Sequence, residues 1–392
     1  MPRWPSACTS SALYEIVARD PESSARRGAL PTRRGTLETP CFLPVGTRGA
    51  VKGVSFDLLE EWDCRAVLAN TYHLMARPGI ETIRRAGGLH AFMGWPRAVL
   101  TDSGGFQVMS LAARRRITEE GVEFRAPEDG SRHFLSPEKA MELQADFGVD
   151  IAMVLDVCPP FPAERAEVEE ACRLTLDWAR RCARAWAERS RGAWRGRDGG
   201  PGGLLFGILQ GGTHEDLRRR SAAEIAALDL PGYAIGGVAV GESKEAIRSV
   251  TSVSAALLPP EKPRYLMGVG TPADILASVR AGVDLFDCVL PTRNGRMGHA
   301  YTAGGEVTIK HERFKDDLEP LDPACRCPVC RRHSRAYLRH LFVVKDFSAP
   351  MLISTHNVFF YLEWMRTIRE AISLGTLASL AAPPEGKIAD GA

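Results

Sequence analysis

No run of eighteen apolar residues occurs anywhere in the 392-residue chain, so no membrane-spanning helix is expected and a membrane is not among the expected partners. The first stretch, Met1 to Ser11, has no apolar core of the kind a secretory signal requires. There is no Walker A pattern and no G-x-G-x-x-G after the first strand, which argues against nucleotide-fuelled chemistry. Net charge is also scarce. Fifty Lys and Arg against 48 Asp and Glu leave a formal +2, so a polyanion would have to be met by a local patch.

Cysteine is present, with ten residues, but not in the pattern of a disulfide framework. Seven are scattered singly and three are clustered at Cys325, Cys327 and Cys330. Without a secretion signal this reads as reduced thiols plus one metal site, and the expected compartment is the cytoplasm. Hydrophobic content of 45% and charged content of 25% allow a sizeable core.

After a polar, Arg-rich opening over residues 1–40, a rhythm begins. A strand pair is expected around Leu13 to Val17 and Thr36 to Val45. Short apolar runs ending in polar residues then alternate with helical segments. The runs are Ala66–Asn70, Ala98–Asp102, Ile151–Asp156, Leu204–Gln210, Tyr233–Gly237, Arg264–Gly268 and Val283–Asp287. Runs of this kind fit strands buried on both faces. Ser136-Pro137 and Thr271-Pro272 each read as an N-cap followed by Pro at the first helical position. Glu164 to Arg189 carries a helical apolar stripe, as do Leu217, Ser221, Ile225 and Leu228. An eighth strand is expected near Phe342–Val344 or Met351–Ser354. Eight such units close into a (β/α)8 barrel, with a doubly wound open sheet as the alternative. The expected organisation is one catalytic barrel over 1–392, with a zinc-binding subdomain inserted at about 301–357. Residues 189–203 read as a flexible surface loop and 381–392 as a disordered tail.

Asp102, Asp156, Gln210, Gly237, Gly268 and Asp287 all fall at strand ends, and in a barrel those ends converge on the catalytic face. Asp156 and Gln210 suit the edge of a guanine-like base, and the backbone at Gly236 and Gly237 can approach a ligand closely. Phe106 and Met267 could clamp the base's two faces. Asp102 and Asp287 remain as a carboxylate pair able to divide nucleophilic and proton-transfer work, the logic of retaining glycoside transfer. Beyond Asp287 lies a Pro- and Gly-punctuated loop with Arg293 and Arg296. Each of these acids could equally serve as a strand cap, and the arginines could belong to a solvated loop.

The C-x-C-x2-C cluster with His356 farther on is a Cys3His ligand set for one structural Zn2+, with His333 and His340 as competing fourth ligands. From Arg326 to Lys345 there are six Lys or Arg and no acid, a cationic segment suited to phosphates.

Five segments together resemble tRNA-guanine transglycosylase of the bacterial type. They are Asp102–Val108, Gln210-Gly-Gly212, Gly236–Glu242, Asp287–Arg293 and the Cys325/Cys327/Cys330/His356 set, and the likeness runs from about Leu13 to about Leu374. The resemblance implies a barrel with an inserted zinc subdomain and a homodimer. It implies exchange of the wobble-position guanine in tRNAs for Asp, Asn, His and Tyr, on the route to queuosine. On that basis Asp287 is the nucleophile at ribose C1′ and Asp102 the general acid/base. Asp156, Gln210, Gly237 and Ser103 bind the base, Phe106 and Met267 stack on it, and Arg293 and Arg296 meet the anticodon loop. One departure stands out: Val157 occupies a position that is usually Glu in the bacterial pattern. Ala239 looks suited to preQ1 as the incoming base, whereas Val157 raises queuine as the alternative. A non-catalytic tRNA-binding subunit and a metal-dependent barrel hydrolase are the competing readings. The first is opposed by the two aspartates, the second by a metal cluster with four protein ligands.

Overall fold

A computed structural model describes residues 14–111, 115–125, 130–191 and 203–386. Its centre is a parallel sheet of eight strands. In chain order they are β1 (Cys41–Pro44), β2 (Ala66–Asn70), β3 (Ala98–Asp102), β4 (Ile151–Met153), β5 (Leu204–Leu209), β6 (Gly232–Ile235), β7 (Arg264–Leu266) and β8 (Leu285–Cys288). Neighbours in sequence are neighbours in space, and β8 returns to pair with β1 over Leu285–Cys288 against Cys41–Pro44. Closure between β1 and β2 comes just past β1. Val45 bridges Leu68 in parallel, and the Gly46 amide donates to the Leu68 carbonyl at 2.6 Å. The sheet is therefore a (β/α)8 barrel, and the open-sheet alternative falls.

β2 and β3 are buried at every position and run over the residues expected from the sequence. Strands with no solvent face cannot alternate polar and apolar residues, which is why continuous runs marked them. The missing eighth strand is β1, not a segment after residue 340. Phe342 lies in the helix Arg335–Val343 and Met351–Ser354 in the helix Ser348–Leu374. The expected strand Thr36–Val45 is divided at Pro40. Gly35–Thr39 joins an antiparallel sheet with Glu15–Arg19 and Arg26–Thr32, and Cys41–Pro44 turns into the barrel. Proline lacks the N–H that a continuous central strand would need.

Both Pro-N1 helices start as expected. Ser136 Oγ accepts from the Lys139 amide and Thr271 Oγ1 from the Asp274 amide, each at 3.2 Å. The 27-residue helix Ser348–Leu374 closes the outer ring. Its Tyr361 ring lies 4.9 Å from Phe42 of β1 and donates its hydroxyl to the Gly270 carbonyl. Trp364 of the same helix donates to the Pro272 carbonyl. Between β8 and this helix come a short helix (Leu290–Met297), a hairpin (His299–Thr302 with Gly305–Thr308) and the cysteine cluster. Arg293 and Arg296 thus stand on a helix and not in a loop, because Pro291 sits in the first helical turn and Gly298 supplies the left-handed C-cap. Gly295 lies where that helix crosses the long one. A Cβ there would meet the Ser354 backbone at 2.7 Å. Of the surface loop expected at 189–203, residues 192–202 lie outside the described part, as do 387–392 of the tail. Before that point Glu385 pairs with Lys244 at 2.9 Å.

Candidate active site and metal centre

The C-terminal ends of the barrel strands bring the expected residues together. Asp102 ends β3 and is buried. It accepts hydrogen bonds from the Asn70 side chain and from the amides of Thr71 (3.0 Å) and Gly104 (3.2 Å). Burial pushes its carboxyl up to about 7 against the pull of the Thr71 amide, and the charges of Asp287 and Asp156 push the same way. Three acids therefore share one field, with one of them poised to change protonation near neutral pH.

Asp287, on β8, is half-buried. Its Oδ1 accepts from the Tyr265 hydroxyl at 2.6 Å and the Gly268 amide at 2.9 Å. Burial raises its pKa, while these two donors hold it down. Both bonds fall on one oxygen. Among the described residues Oδ2 has no donor, so its lone pairs stay open.

Asp156 lies three residues beyond the end of β4, in the loop and not on the strand. Its two oxygens accept from Ser103 Oγ (3.3 Å) and Gln210 Nε2 (2.7 Å), and burial raises its carboxyl to about 6. Gln210 follows β5 directly and is fully buried, yet its Oε1 has no donor among the described residues. A buried acceptor left open costs about 1–3 kcal/mol, which a donor brought to this position would recover. Two glycines shape the space. A Cβ at Gly105 would stand 2.7 Å from the Asp156 carbonyl, and one at Gly237 would stand 2.2 Å from Gln210 Oε1. Gly237 also has φ of 63°, in the left-handed region. Phe106, 44% exposed, is on the first turn of the helix Gly105–Leu111, and half-buried Met267 follows β7. Val157 is buried in the core with its amide donating to Thr175 Oγ1.

Arg293 and Arg296 are exposed on the helix after β8. Arg296 belongs to a cationic group: burial, then the charges of Arg296 and Arg48, hold Lys52 below its ordinary range. The basic segment 326–345 is less free than its composition suggests. Arg335 pairs with Asp317 at 3.0 Å and Arg326 with Glu363 at 3.2 Å, while Arg331 and Arg332 stay exposed.

Cys325, Cys327, Cys330 and His356 form one group, with all ligand atoms within 4.8 Å of each other. The Cys327 and Cys330 sulfurs stand 3.5 and 3.3 Å from His356 Nδ1. A tetrahedral ion with metal–sulfur bonds of about 2.3 Å needs S···N separations of roughly 3.5 Å. His356 Nε2 lies 2.7 Å from the Tyr301 carbonyl. An N–H must stand there, which leaves Nδ1 bare to face the metal. The donors fit a metal ion, and the four protein ligands would fill a tetrahedral coordination sphere. His333 instead stacks on Tyr337 at 4.9 Å, and His340 is exposed, so neither completes the set.

Sequence reasoning missed three partners. Asn70 was legible as the polar end of its strand. Tyr265 sits inside a buried strand and gave no signal. Arg218 lies off the apolar stripe of an amphipathic helix, yet it is fully buried beneath the Gly236–Gly237 loop.

A family model described as queuine tRNA-ribosyltransferase matches residues 20–383. A protein of that name from Nitratidesulfovibrio vulgaris is 50% identical over 370 residues, covering 94% of this chain and 96% of the relative. Those from Koribacter versatilis (50% over 366 residues; 93% and 95%) and Caldanaerobacter subterraneus (48% over 359; 92% and 93%) are similar. With a closed barrel that carries its acids at or just past the ends of its strands, and relatives matching nearly end to end, the chain belongs to the queuine tRNA-ribosyltransferase family.

Proposed function

We propose that this pentosyltransferase, a tRNA-guanine transglycosylase of queuosine synthesis, exchanges the wobble guanine of tRNAs for Asp, Asn, His and Tyr for a 7-deazaguanine base. The carrying observation is the cluster of raised carboxylates at the barrel mouth, Asp102 and Asp156 with Asp287. Asp287 Oδ2 attacks ribose C1′ as the C1′–N9 bond breaks, giving a ribosyl ester. Protonated Asp102 gives its proton to the departing guanine. The incoming base returns a proton to Asp102 as its N9 attacks C1′ and the ester bond breaks, so protons and bonds balance without ATP. Asp156 accepts from the base's N1–H and exocyclic amine, Gln210 and the Gly237 amide meet its other edge, and Ser103 holds Asp156. Phe106 and Met267 sandwich the ring.

Arg293 and Arg296 receive the anticodon backbone, a role supported by the cationic group around Lys52. The Cys3His ion is zinc, one per chain, and structural: its ligands tie the segment after the hairpin to the long helix Ser348–Leu374. The ion takes no part in the exchange. PreQ1 is the favoured incoming base, on the small Ala239 of the Gly236–Glu242 segment after β6. Queuine is the second reading, on Val157, which removes a carboxylate. A homodimer is supported by the exposed apolar group Tyr337, Val343, Val344, Phe347 and Met351, with Phe347 79% exposed.

The test is incubation with unmodified tRNA and labelled guanine. Label in the RNA is expected; none from a folded, zinc-loaded sample refutes the reading. Competition among preQ1, preQ0, queuine and guanine then ranks the bases.

A further inference from the structure

Arg218 is a buried cation without a buried anion. Its side chain is fully enclosed, and among the described residues no carboxylate lies within ion-pair distance of it; Glu242 acts on it only through its charge at longer range. Such a charge is costly to hold out of water unless its donors are used. The guanidinium spends them on carbonyls. Nε donates to Gly212 (2.9 Å), Nη1 to Gly236 (2.8 Å) and more weakly to Leu209 (3.4 Å), and Nη2 to Gly237 (2.9 Å). Leu209 ends β5 just before Gln210 and Gly212 lies on the loop just after it, while Gly236 and Gly237 follow β6. One planar fork thus spans the two loops that build the base pocket.

The orientation follows from peptide geometry. In a trans peptide the C=O and N–H point in opposite directions. With its carbonyl turned to the guanidinium, Gly236 directs the Gly237 amide the other way, and Gly237 does the same for the Val238 amide. The sequence accommodates the fork from both sides. A Cβ at Gly211 would stand 2.9 Å from the Arg218 amide nitrogen, and the left-handed Gly237 lets two successive carbonyls meet one side chain. We propose that Arg218 is a positioning residue for base recognition, fixing the Gly237 amide and the Gln210 side chain in register with one another. This rests on the base-exchange reading above.

Two variants test it. Arg218→Lys keeps the charge but delivers its donors from one nitrogen, which cannot span both loops. Arg218→Met keeps the length without charge. Each is assayed once its zinc content and melting temperature match the parent; if Met fails to fold, Lys carries the test. The expected result is a KM for guanine at least about tenfold higher, with kcat and the KM for tRNA within about threefold. Parallel losses in all three, as from general damage, would overturn the proposal, and so would an unchanged KM for guanine. Calorimetric titration with guanine needs no turnover and separates the two claims. A parent that binds guanine without exchanging it refutes the exchange reading alone. A variant that binds guanine as tightly as the parent refutes the role of Arg218.

Discussion

Replacing Asp156 with Asn should stabilise the protein at alkaline pH and not at acid pH, while removing its grip on the base. Asp156 is buried and its carboxyl is raised from 3.8 to about 6. A carboxyl with a raised folded-state pKa holds its proton more tightly in the native state. Its contribution is fully present below about pH 4 and is lost as pH rises through 6. At pH 8 the ionised group therefore costs up to ~3 kcal/mol, taking about 1.4 kcal/mol per tenfold change. Relaxation reduces this to roughly 1–3 kcal/mol. For a chain of this length, unfolding entropy near 2.1 cal/mol/K per residue makes that about 1–4 °C in Tm. Asn can keep both contacts. Its oxygen accepts from Ser103, and its amide can donate to Gln210 Oε1, which now lacks a donor, once the Gln210 amide turns over. Differential scanning calorimetry at pH 4 and pH 8 checks the claim. A Tm gain at pH 8 that vanishes at pH 4, with a large rise in KM for guanine, is expected. An equal shift at both pH values, or a loss at pH 8, would refute the assignment of burial as the cause.

Gly237→Ala places a methyl 2.2 Å from Gln210 Oε1 at a φ of 63°. Strain of about 1–2 kcal/mol and displacement of Gln210 should raise the KM for guanine by tenfold or more, with zinc content unchanged. Cys327→Ser removes a buried thiolate of the metal group, so metal content by atomic spectroscopy and thermal stability should fall together; full metal retention would refute the ligand set. Asp102→Asn abolishes a group that titrates near 7, so the neutral-range pH dependence of exchange should vanish along with most of the rate.

Much of the barrel was legible because its strands are almost wholly buried, and strands buried on both faces write themselves as unbroken apolar runs. β1 was not, since Cys41–Pro44 is only four residues and follows Thr39-Pro40, so it read as the end of the strand Thr36–Val45. The helix carrying Arg293 and Arg296 was hidden by Pro291, Gly295 and Gly298, which signal a loop locally. Here they serve as first turn, crossing point and cap. The site acids could be picked out because each stands at or just past a strand end. What holds them could not: Tyr265 and Arg218 are placed by three-dimensional burial, and their neighbours in sequence say nothing of Asp287 or Gly236.

The identity of the nucleophile is the central claim, and it can be read directly. Mixing the enzyme with tRNA, denaturing, digesting and mapping the RNA-bearing peptide by mass spectrometry should locate the ribosyl ester on Asp287. Asp287→Asn should bind tRNA yet form no denaturation-resistant adduct. An adduct on Asp102, or one that persists in Asp287→Asn, would contradict the account.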